Sequence, residues 1–92
     1  MLFRSTKARI LSKPEPVYTE RARSNGVTGT VVLRAVFAAD GTIRYIVVVS
    51  GLPDGLTEMA IVAARRIKFV PATVDGRPVS MYIQLVYNFN LY

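Results

Sequence analysis

Cysteine, histidine and tryptophan are all missing from the chain. Without cysteine there is neither a disulfide framework nor a thiolate metal site. Without histidine the commonest general base and the commonest metal ligand are gone. No apolar run approaches the ~20 residues that a membrane-spanning helix requires. Met1-Leu2-Phe3-Arg4 lacks the apolar stretch and small-residue cleavage site of a secretory signal. If the protein works outside the cytoplasm, its export or anchoring segment is expected upstream, with this chain an excised domain. Phosphate-cradling loops and dinucleotide fingerprints are missing too: Gly51 and Gly55 flank a Leu-Pro-Asp turn with no Gly-Lys-Ser/Thr after it.

Carboxylates are scarce. The six are Glu15, Glu20, Asp40, Asp54, Glu58 and Asp75, and four of them fall at turns, caps or a helix surface. Asp54 and Glu58 fit one helical turn apart, but paired-carboxylate catalysis also needs a pocket that perturbs them. Ser50 and Ser80 have no base to activate them. The expectation is no enzyme, no metal and no cofactor.

What is present is a core. The 92 residues suffice for one small domain, and 51% are hydrophobic against 20% charged, so the chain folds rather than remaining disordered. The net charge of +6 is spread along the chain. Arg4, Lys7, Arg9 and Lys13 lie in the first stretch, Arg21 and Arg23 follow, and Arg65, Arg66 and Lys68 come later. A solvated basic surface explains this without a nucleic-acid site. The aromatic-rich signature segments of an RNA-recognition sheet are also lacking.

Periodicity orders the elements. Residues 1–13 form an N-terminal extension in which Arg9-Ile10-Leu11 fits a short extra strand, and Pro14 and Pro16 then force an extended path. The run from Tyr18 to Asn25 reads as a short helix capped by Thr19 and ended by Asn25-Gly26. Gly29 to Ala39 alternates, with Val31, Leu33, Ala35 and Phe37 on one face. Asp40-Gly41 supplies a hairpin turn, and Thr42 to Ser50 pairs back antiparallel. After a Gly51–Gly55 break, Leu56, Met59, Ala60, Ala63 and Ile67 define the buried stripe of a helix that Asp54 or Thr57 would cap, with Arg65, Arg66 and Lys68 in its last turn. A turn at Asp75-Gly76-Arg77-Pro78 leads into a long strand. Val79, Met81, Ile83, Leu85, Tyr87, Phe89 and Leu91 lie on one face, and Ser80, Tyr82, Gln84, Val86, Asn88 and Asn90 on the other. Tyr87 reads as core; Tyr82, on the polar face, fits either packing or stacking on a ligand. The fold class is α+β: a three-stranded antiparallel sheet, with two helices packed on one face.

The last strand is the best candidate site. It exceeds the two hairpin strands in length, so part of its edge is expected to be unpaired, and no proline or lysine interrupts it from Val79 onward. Such an edge recruits another strand, from a peptide or from a second copy of the domain.

The order and spacing of several short motifs resemble the TonB C-terminal domain family. They are Pro16-x-Tyr18, Arg21-Ala22, Gly29-x-Val31, Asp40-Gly41, Ala63-x-Arg65, Phe69-x-Pro71-Ala72, Asp75-Gly76-x-Pro78-Val79 and Tyr87-Asn88-Phe89. Together they span nearly all of 14–91, making 14–92 the domain. The resemblance implies a periplasmic domain tethered by a proline-rich linker to an inner-membrane helix, working with ExbB and ExbD. It implies binding of the TonB box of outer-membrane transporters as a strand added beside Val79 to Asn90. The peptide-contacting residues it points to are Tyr18, Arg21, Val79, Ser80, Met81, Tyr82, Ile83, Gln84, Leu85, Val86, Tyr87 and Asn88. Two positions depart from the family pattern: Thr19 replaces the proline that usually follows the tyrosine, and Ile67 replaces an aromatic residue. The competing reading is a self-associating domain of a sensor or envelope protein, forming a homodimer through the same edge.

Overall fold

The computed structural model describes residues 4–91. Its centre is an antiparallel sheet of β3 (Gly29–Phe37), β4 (Ile43–Ser50) and β8 (Met81–Phe89), in the order β4-β3-β8. β3 and β8 pair residue for residue, from Gly29 opposite Phe89 to Phe37 opposite Met81. Alternation then drives every second side chain inward: Val31, Leu33, Ala35 and Phe37 from β3, and Leu85, Tyr87 and Phe89 from β8, are all buried. Each large apolar side chain so buried is worth roughly 1.5–3 kcal/mol.

The β3–β4 connection spans Ala38 to Thr42, with Gly41 alone at positive φ (+87°), as the closing bond from the Ala38 N–H to the Thr42 carbonyl requires. The Asp40 carboxylate accepts from both the N–H and the hydroxyl of Thr42, and it pairs with Arg44 at 2.5 Å. Those Thr42 hydrogen bonds and then the Arg44 charge hold its carboxyl below the usual range. β4 departs from simple pairing at Tyr45, whose φ of +53° marks an irregularity between the Arg34 and Val36 registers.

Two helices cover the apolar face. Thr19 caps α1 (Glu20–Ser24) as expected, its hydroxyl accepting from the Ala22 N–H at 3.1 Å. In α2 (Leu56–Arg65) neither expected cap is used. Gly55 stands at the N-cap with φ +82°, a conformation that a side chain opposes, while the Thr57 hydroxyl turns back to the Leu52 main chain at 2.8 Å. The buried stripe is Leu56, Ala60, Ala63, Ala64 and Ile67, with Met59 only half-buried. Ala22 joins these residues and the inward side chains of β3 and β8 in a single core cluster.

Further pairing extends the expected three-strand plan, and it includes the short extra strand expected at Arg9-Ile10-Leu11. β2 (Arg9–Ser12) pairs with β5 (Lys68–Val70), and β1 (Ser5–Thr6) with β6 (Ala72–Val74), which is flanked on its other side by β7 (Arg77–Val79). Lys68 therefore opens a strand rather than closing the helix. The long terminal strand is also divided, because the chain changes partner at Ser80, from β6 to β3. There the Ser80 hydroxyl accepts the Ala39 N–H at 2.9 Å. Met81 (48% exposed) and Leu91 (37%), both expected inside, lie at the ends of this segment beyond the core. The added strands draw the molecule out to 57 × 21 × 19 Å.

Candidate functional site: the outer edge of β8

β8 is an edge strand, for a reason other than the one its length suggests. β3 matches it along its whole nine-residue length, so nothing overhangs. Its far side is open because β3, not β8, sits in the middle of the sheet.

In an antiparallel strand the N–H and C=O of one residue point the same way, and successive residues alternate. The Val86 carbonyl accepts the Lys13 ammonium at 3.0 Å, so Val86 turns its main chain away from β3. By alternation Tyr82, Gln84 and Asn88 do the same, whereas Ile83, Leu85 and Tyr87 spend their main-chain groups on β3. The open edge therefore offers the N–H and C=O of Tyr82, Gln84, Val86 and Asn88.

Both ends of this edge carry protection that the strand's own residues do not supply. At one end the turn residues Asp75 (φ +51°) and Gly76 (+79°) make Val74 and Arg77 the hydrogen-bonded closing pair. Pro78, opposite Thr73, consequently directs its hydrogen-less nitrogen away from β6. At the other end Lys13 lies on Val86, with its ammonium 4.7 Å from the centroid of the Tyr87 ring. Lys13, Pro14 and Glu15 wall a cavity of about 210 Å³ with Val86, Tyr87 and Asn88. The expectation that no lysine or proline guards the edge is thus corrected: Lys13 arrives from 73 residues away.

The remaining expected contact residues separate by role. Val79 closes β7, half-buried, and Ser80 is engaged by Ala39. Tyr82 is 74% exposed on the face away from the core, opposite Val36, and shares an open depression with Arg34 and Val47. The exposed Gln84 lies opposite Arg34, and Asn88 accepts the Thr30 hydroxyl at 3.1 Å. Leu85 and Tyr87 give their side chains to the core. The Tyr87 hydroxyl is buried without a hydrogen-bond partner among the described residues, and burial, reinforced by the Glu15 charge, pushes its pKa up to about 12. Tyr18 packs edge-on against Phe89 at 5.6 Å and donates to the Val27 carbonyl. The cation over its ring is Arg23, at 5.4 Å; Arg21 is exposed on α1, and among the described residues no hydrogen bond or ion pair links its side chain to β8. The sequence reading missed Lys13 and Glu15 as site residues. The extended Lys13-Pro14-Glu15-Pro16 segment is a local signal, but nothing local says which strand it lies against.

This small α+β domain presents the main-chain groups of β8 along one edge of its central sheet. The family model for the Gram-negative bacterial TonB protein C-terminal region matches residues 14–91, and the chain belongs to that family. The fold agrees: the solution NMR structure of the Pseudomonas aeruginosa TonB C-terminal domain superposes with a TM-score of 0.75 at 24% identity, covering 94% of this chain and 88% of that one. No curated protein matches the chain in sequence. Domains of this family are periplasmic, non-enzymatic transducer domains that interact with outer-membrane transporters.

Proposed function

We propose that this domain binds the TonB box of an outer-membrane transporter by adding it as a strand along the outer edge of β8. In the full-length protein it would pass on energy from an inner-membrane, proton-motive-force-driven motor of ExbB and ExbD for substrate uptake. The observation that carries the reading is the row of outward main-chain groups at Tyr82, Gln84 and Val86 on an edge strand whose other side is fully paired. Backbone hydrogen bonds supply affinity in such an arrangement, and flanking side chains supply selectivity. Tyr82 on the open face and the Lys13–Glu15 cavity are the places where ligand side chains would be read. Arg21 is the cation expected to face the transporter.

The test is a single imino acid. Gln84→Pro removes one outward N–H and places a ring on the open edge, while the bonds to β3, which come from its neighbours, remain. Titration with a fluorescent TonB-box peptide should show affinity falling by about 100-fold or more, with the circular dichroism spectrum unchanged. Leu85→Pro, which strikes the β3 ladder instead, should unfold the domain. Undiminished peptide binding by a folded Gln84→Pro variant would refute strand addition.

A further inference from the structure

We propose that Lys13 is a specificity-determining latch on the β8 edge, one that admits a peptide strand in preference to a second copy of this domain. Its ammonium donates to the Val86 carbonyl at 3.0 Å and lies 4.7 Å from the Tyr87 ring centroid. No carboxylate holds it there: among the described residues the one ion pair within 4 Å is Arg44–Asp40. Lys13 thus stands where the N–H of an incoming strand would donate, and any strand that pairs through Val86 must displace it.

The cost differs between the two occupants. A peptide added to β8 displaces one latch. A second copy pairing edge to edge, β8 against β8, uses both edges and displaces two. If the latch weakens strand addition by a factor f, it weakens the peptide complex by f and the dimer by f squared. Charge acts in the same direction, because each copy carries +6 and the dimer brings two displaced ammonium groups into one interface. Lysine on an edge is a known means of discouraging sheet-to-sheet pairing, and here it is delivered from another segment. For an exposed hydrogen bond of ordinary net strength, f is about 5.

The peptide half of this rests on the strand-addition reading; the dimer half does not. The experiment compares wild type with Lys13→Met, which keeps an unbranched side chain but cannot donate, and with Lys13→Arg, which can. Dimer constants come from sedimentation equilibrium, and peptide constants from fluorescence anisotropy with a TonB-box peptide. Lys13→Met should bind peptide about 5-fold more tightly and dimerise about 25-fold more tightly, with Lys13→Arg close to wild type. Equal changes in the two constants, or no change in either, overturn the latch. So does a Lys13→Met protein that stays monomeric at every concentration. If no variant binds peptide yet dimerisation still rises in Lys13→Met, strand addition of the TonB box fails and the preference for peptide is overturned with it, while the guard against a second copy is upheld.

Discussion

The Tyr87 hydroxyl offers a measurement with a sign that reverses ordinary expectation. Tyr87 is 3% exposed, its ring packs in the core, and its oxygen has no hydrogen-bond partner among the described residues. Burying a hydroxyl unpaired costs about 1–3 kcal/mol. Tyr87→Phe deletes that atom and leaves the ring, so at pH 7 it should stabilise the domain by about 1 kcal/mol, a rise of roughly 4–8 °C in Tm for a domain of this size. The alkaline limb supplies an independent check. The phenol titrates at about 12 in the fold against 10.0 when free. Above pH 10 the unfolded chain releases its proton first, so it binds fewer protons than the native state, and stability falls as pH rises. The stability is intact below pH 10 and declines through pH 12, by about 2–3 kcal/mol in total for this one group. Urea unfolding followed by circular dichroism, from pH 7 to pH 12, should therefore show the advantage of Tyr87→Phe widening above pH 10. A destabilised Tyr87→Phe at pH 7, or a difference between the two proteins that stays constant across that range, would refute the argument.

Two further substitutions test the frame that holds the edge in place. Leu33→Ala empties a fully buried position in the central strand and should cost about 2–5 kcal/mol in urea unfolding. Gly55→Ala forces a side chain into φ +82° with its Cβ 3.2 Å from the Thr19 methyl, and should cost about 1–2 kcal/mol in the same assay.

Much of the frame was legible because it is periodic. The period-two run in β3 and the three-and-four spacing in α2 each name a buried face, and the structure buries Leu33, Phe37, Leu56 and Ala60 accordingly. Thr19 was readable as a cap because capping is settled within four residues. The Gly55 cap was not, since Asp54 and Thr57 both have suitable side chains and the choice depends on a backbone angle. β5 and β6, each three residues long, are too short to show a period, and each has a partner in the distant N-terminal segment. That β8 has an open side agrees with the sequence pattern, but the reason differs. Strand length suggested an overhang, whereas the opening comes from strand order, which no local pattern encodes. Lys13 on Val86 is the extreme case, because its position relative to β8 follows only from the completed fold.

The short N-terminal strands also have a mechanical meaning. β1 and β2, of two and four exposed residues, precede Lys13 along the chain. Tension applied to the chain ahead of them reaches their few pairs with β6 and β5 before it reaches the nine-residue β3–β8 ladder. Under load the molecule should therefore yield in sequence: β1 peels first, β2 next, and then Lys13 is drawn off Val86 while the central sheet stays whole. A pull at that end would widen the very edge that a pull on the ligand then loads.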